Sequence, residues 1–98
     1  MTKEDIQKGN IVYYTRILPE VGIYDLCELK IRTVEETYFC GSDKHDKHAY
    51  LFGYNSLNKT IFTDRKEALL VIHNAENNAP KVSDEKEYEE ILKFRILD

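Results

Sequence analysis

The chain changes its hydrophobic rhythm at one point. Up to Thr63, apolar and aromatic residues come in short runs broken by turn residues; after Asp64 they recur every three to four positions. The first rhythm is that of strands and the second that of a helix. Lys8-Gly9-Asn10 turns the chain into Ile11 to Leu18, a run rich in β-branched and aromatic residues with apolar side chains on both alternating faces. Such a strand suits a closed or nearly closed sheet. Pro19 to Gly22 supplies turn chemistry, and a second strand follows from Tyr24 to Val34. Its alternation is clear, with Cys27, Leu29 and Ile31 on a core face and Glu28, Lys30 and Arg32 on a solvent face;. Thr37 to Gly41 reads as a third strand, and Ser42 to Lys47, all polar, as an exposed and mobile loop;. Ala49 to Tyr54 alternates small and aromatic residues, and Asn55 to Lys59 turns it into a short strand at Thr60 to Thr63;.

Asp64 then stands where an N-cap belongs, with Glu67 three residues on, and Ala68, Leu69, Ile72 and Ala75 form an apolar stripe;. The spacing predicts a helix over 65–77, ended by Asn77-Asn78 and Pro80;. His73 is expected on the side away from Leu69 and Ile72;. Asp84 to Glu90 reads as a short acidic helix turn, and Ile91 to Leu97 as a last strand;. The predicted fold is mainly β with one helix in the C-terminal half. It is a small SH3-like, partly open barrel or bent antiparallel sheet of five to six strands, capped by a helix at about 65–77;. The alternative is an α+β meander with the helix packed flat on one face. One domain is expected over 1–98, with a barrel core at about 8–77 and an acidic extension at 81–98;.

Composition narrows the class. With 42% hydrophobic and 33% charged residues and 4 glycines, the chain should fold rather than stay disordered;. Fourteen Lys and Arg against eighteen Asp and Glu give a net charge of −4, shared evenly as 7 against 9 in each half. A general basic footprint for nucleic acid is missing. No apolar run approaches the roughly 20 residues of a membrane span, and the polar start leads into no signal-peptide core;. A cytoplasmic location follows as an expectation, and the two cysteines are then free thiols.

Two segments carry a resemblance. Lys8-Gly9-Asn10-Ile11-Val12-Tyr13 resembles the Lys-Gly-Asp-x-Val-Tyr opening of SH3-like barrels, and the run from Asn58 to Ala68 resembles a strand, Thr-Arg-Glu-Glu-Ala, helix closure. Together with Cys27 to Val34 and Lys47 to Phe52, they are similar to small uncharacterised SH3-like-barrel proteins encoded by phages and mobile elements of Gram-positive bacteria. The likeness covers about residues 8–76. It implies an accessory protein that binds a host or phage protein complex, and it brings no catalytic residue.

Candidate chemistry comes from four groups. Cys27, Cys40, His45 and His48 form a set that tetrahedral zinc accepts, although twelve residues separate the two cysteines where structural sites usually pair them closely;. A Cys27 beside Leu29 and Ile31 reads more simply as a small hydrophobe. The run from Asp43 to His48 offers two imidazoles beside Lys44 and Lys47 for acid–base work, but its charges cancel and its composition is that of a solvated loop;. Lys30 and Arg32, with Tyr50, Phe52 and Tyr54, suggest cations flanking a stacking platform for nucleic acid, diluted by Glu28;. Lastly, Asp84, Glu85, Glu87, Tyr88, Glu89 and Glu90 would meet a basic surface, such as the nucleic-acid channel of a nuclease;. Tyr14, Tyr24 and Tyr88 are the tyrosines expected to anchor an interface. The balance favours a non-enzymatic protein binder with no cofactor or metal, using that acidic segment together with Lys44 and Lys47. A nucleic-acid-binding regulator and a zinc-stabilised module are the alternatives, and an open barrel leaves unpaired backbone at Thr60 to Thr63 and in the last strand through which two copies could pair;.

Overall fold

The computed structural model describes residues 1–79. Five antiparallel strands, β1 (Ile11–Leu18), β2 (Ile23–Val34), β3 (Tyr38–Asp43), β4 (Ala49–Gly53) and β5 (Ile61–Phe62), lie in the order β4-β3-β2-β1-β5 and are followed by one helix, α1 (Arg65–Asn78). This is the partly open barrel with a late helix that the pattern predicts. Short 3-10 turns at Lys3–Asp5, Pro19–Val21 and Tyr54–Ser56 join or precede the strands.

The sheet is strongly curled. Strands β1 and β4 are three places apart, about 14 Å in a flat sheet. Yet the Tyr14 ring of β1 lies 4.9 Å from Phe52 and 5.4 Å from Tyr50 of β4. Two devices bend it. The register of β2 against β3 shifts between Ile31 and Thr33, leaving Arg32 as an extra residue on the longer strand; a bulge of this kind kinks and twists its strand. Opposite Ile31 stands Gly41, where an added Cβ would come within 3.1 Å of Leu29 Cβ, so the missing side chain lets β3 close on β2.

The concave face holds the main core: Val12, Cys27, Leu29, Ile31, Phe39 and Ile61, all buried, joined by Ile6 from the N-terminal segment. The Phe39 ring packs at a tilt against Phe52 and Tyr54, with centroids 5.5 Å away in each case. The N-terminal segment closes one end, where Asn58 Nδ2 donates to the Met1 carbonyl and the Lys3 ammonium sits 4.8 Å from the Tyr54 ring centre. On the convex face α1 lies along β1, β2 and β5. It starts where expected, since the Asp64 carboxylate accepts the Lys66 N–H at 3.0 Å. Ala68 and Ile72 are buried, whereas Leu69 is 38% exposed and does not complete the stripe.

Three expectations need correction. Strand β3 runs two residues further than its pattern suggests, taking Ser42 and Asp43 out of the expected loop. The last strand before the helix shrinks to Ile61–Phe62. His73 is exposed, but it borders the same surface groove as Leu69, Ile72 and Glu76, because residues four apart on a helix share a face;. The acidic segment 84–90 and the expected last strand at 91–97 fall outside the described residues.

Candidate binding surface

The hairpin between β3 and β4 was expected to be a mobile loop; it is braced instead. Asp43 ends β3 on the core face, 7% exposed, and its carboxylate accepts the N–H groups of His45 at 2.7 Å and Asp46 at 3.3 Å. Its backbone N–H donates to the His48 carbonyl at 2.7 Å, and its carbonyl accepts from the Lys47 N–H at 3.0 Å. Asp46 Oδ1 takes the His48 N–H at 2.9 Å. Lys44 is tied to β2 twice, by its N–H to the Glu28 carbonyl at 3.1 Å and by its ammonium to the Glu28 carboxylate at 3.3 Å. One buried acid therefore organises the turn, which is why a polar residue is tolerated there. The chain closes with Lys47 in the left-handed region, at φ 64°. Lys44, His45, Asp46, Lys47 and His48 all remain exposed. The His45 hydrogen bond outweighs burial, which acts the other way, and holds the Asp43 carboxyl below the usual carboxylate range.

Inside the mouth of the half-barrel, next to this turn, stand Arg16 and Tyr50. The Arg16 guanidinium pairs with Asp25 at 2.8 Å, and among the described residues its buried Nε–H finds no acceptor. Burial pushes the Tyr50 phenol above its ordinary pKa. Tyr14, Tyr50, Phe52 and Tyr54 are half-buried parts of the core wall. Tyr24 is also half-buried, so of the three tyrosines singled out as anchors, Tyr14 and Tyr24 are structural to this degree and Tyr88 lies beyond residue 79.

The sheet takes apart two of the sequence-predicted constellations. Side chains of directly paired residues share a face. Cys40 pairs with Thr33 and Leu51 on the convex side, while Cys27 belongs to the concave core. The two thiols are thus on opposite faces and cannot ligate one ion with the loop histidines. Among the described residues no group of three or more His, Cys, Asp or Glu is placed to hold a metal. Likewise Lys30 and Arg32 project from the convex face, where Arg32 Nε donates to Ser42 Oγ at 2.9 Å, whereas Tyr50, Phe52 and Tyr54 line the concave one. No joint platform forms, because a period of two that is continuous in each strand says nothing about which faces adjoin across the sheet.

No known family model, curated protein or solved structure matches the chain. Among the described residues no helix is long and apolar enough to cross a membrane.

The separated cysteines make a direct prediction. Cys27 is 7% exposed and burial raises its thiol pKa, while Cys40 is half-buried on the convex face. A thiol reagent at neutral pH should label Cys40 promptly and Cys27 only as the fold opens. Equal rates for the two, separated by Cys27→Ser and Cys40→Ser variants, would contradict this placement.

Proposed function

We propose that this protein is a non-enzymatic binding module, an accessory protein of phage or mobile-element type that engages a host or phage protein complex from within the bacterial cytoplasm. The observation that carries the reading is the braced turn at residues 44–48. A loop already held in one conformation by a buried acid loses little conformational entropy on docking, and here every one of its side chains faces outward. Lys44 and Lys47 would contribute contacts at this turn, and the acidic run Asp84 to Glu90 would contribute charge.

The specific form we favour is inhibition of a defence nuclease, anti-CRISPR action included. Five carboxylates among seven residues, in a chain of net charge −4, suit a basic channel built for a phosphate backbone;. The test is an affinity pull-down from host lysate with and without added nuclease, read by mass spectrometry. A single protein complex should survive the nuclease treatment and be lost when Glu87, Glu89 and Glu90 are replaced together by lysine. Unchanged capture by that variant removes the acidic run from the mechanism, and loss of all partners after nuclease argues for a nucleic-acid regulator instead.

A further inference from the structure

We propose that the outer edge of β4 binds a second copy of this chain, the two β4 strands pairing antiparallel about a two-fold axis through Leu51. The backbone sets the register. Asp43 N–H bonds to the His48 carbonyl, so this pair closes the hairpin. Bonded pairs in an antiparallel ladder recur every second residue. Gly41 with Tyr50, and Phe39 with Phe52, are then the next bonded pairs. The N–H and C=O groups of Ala49, Leu51 and Gly53 accordingly point away from β3. Among the described residues β4 has no neighbour on that side. The Gly53 carbonyl accepts from Ser56 Oγ at 2.7 Å and keeps a second lone pair;.

These outward groups are symmetric about Leu51. Rotation by half a turn sets Ala49 against Gly53 of the second copy, Tyr50 against its Phe52, and Leu51 against its own equivalent. All three outward-facing residues are then paired, with the smallest side chains at the two ends. Leu51 is 65% exposed on the convex face, and its counterpart is the natural apolar cover for it.

The edge also lacks the guards that keep sheets apart. Such edges are normally blunted by proline, charge or a bulge. Strand β4 has no proline and pairs with β3 without a register shift. From Ala49 to Asn58 there is no charged side chain, the longest such stretch in a chain that is 33% charged. Two anionic molecules can therefore meet here without local repulsion. The opposite edge is less suited: β5 has two residues, and the Ile61 carbonyl, which faces away from β1, already accepts the Asn58 N–H at 2.9 Å.

Five residues from each copy make a small contact compared with the roughly 800 Å² per partner of a tight complex, so a reversible dimer of micromolar affinity is expected. Sedimentation of the full chain over a concentration series should show it. Leu51→Lys, which sets two like charges opposite each other at an exposed position, should weaken the dimer by about tenfold or more while leaving the circular dichroism unchanged. In a Cys40→Ser background, Leu51→Cys should cross-link under mild oxidation, because opposed residues of a bonded pair lie about 5.5 Å apart, within disulfide reach. Ala49→Cys should not, since the two copies of that residue would be about 14 Å apart. A wild-type chain that stays monomeric up to near-millimolar concentration overturns the proposal. So does a Leu51→Lys variant that still dimerises, or an Ala49→Cys variant that cross-links as readily as Leu51→Cys.

Discussion

Phe39→Ala should destabilise the fold by about 3–5 kcal/mol, the usual cost of emptying a large aromatic site in a packed core. Phe39 is fully buried at the centre of the curl, with the Phe52 and Tyr54 rings each 5.5 Å away. Its strand cannot move inward to refill the space, because Gly41, two residues along, already stands at the closest approach to Leu29. A domain of this size has about 5–15 kcal/mol of stability in total, so the variant would lose a large share of it. Urea unfolding checks this: the midpoint should fall sharply with little change in slope. Val21→Ala, at a position 67% exposed, serves as the control and should stay within about 0.5 kcal/mol;. Equal shifts for the two variants would mean that Phe39 is not the keystone of the concave core.

The second large effect is at Asp43. Replacing it by alanine leaves the N–H groups of His45 and Asp46 without their acceptor at a largely buried site, which should cost about 1–3 kcal/mol;. The loss would be local in form, since the Asp43 side chain serves only the His45 and Asp46 N–H groups of this one turn. Partner capture should fall with it, even where the remaining barrel is intact. Asp43→Asn keeps a carbonyl oxygen for the same N–H groups, so it should retain the turn at neutral pH. The two variants also separate on acidification. The folded Asp43 carboxyl titrates below its unfolded value, so its charge stabilises the fold above the unfolded pKa of about 3.8. That contribution is lost as the pH falls through the depressed folded value. Wild type should therefore lose protection of the His45 and Asp46 amides in hydrogen exchange as the pH drops below the ordinary carboxylate range, while Asp43→Asn should not. An identical pH response in both would show that another group controls the turn.

The proposed dimer and the proposed partner interface use adjoining but different parts of one hairpin. Pairing through β4 would join two sheets edge to edge and place one braced turn at each end of the junction, on rigid elements at a fixed separation. A target with two equivalent sites would then be held more tightly than either turn alone could manage.

The elements and their order were legible in the chain because they depend on local chemistry. Gly22 at φ 68° ends the turn between β1 and β2, Asp64 caps the helix, and alternation in β2 separates Cys27, Leu29 and Ile31 from Glu28 and Lys30 within a few residues. The switch in period at Asp64 and the count of strands before the helix were enough to indicate a small, partly open barrel. Asp43 was misread for the opposite reason. Its polarity suggests solvent, and only three-dimensional closure of the hairpin brings it the N–H groups that make burial tolerable. Ile6 stands alone in a polar N-terminal stretch with no local period to mark it, and only the folded chain carries it into the concave core.

Sequence by itself determined the elements, the core face of β2 and the excess of acid over base, since these follow from backbone preferences and side-chain polarity over a few neighbouring positions. Tertiary structure alone decided which faces meet. It placed Cys40 opposite to Cys27, divided Lys30 and Arg32 from Tyr50, Phe52 and Tyr54, and, among the described residues, left β4 with no neighbour on its outer side. The physical reason is that curl and strand order arise from contacts between residues far apart in the chain, through the bulge at Arg32 and the gap at Gly41, and no local period encodes them.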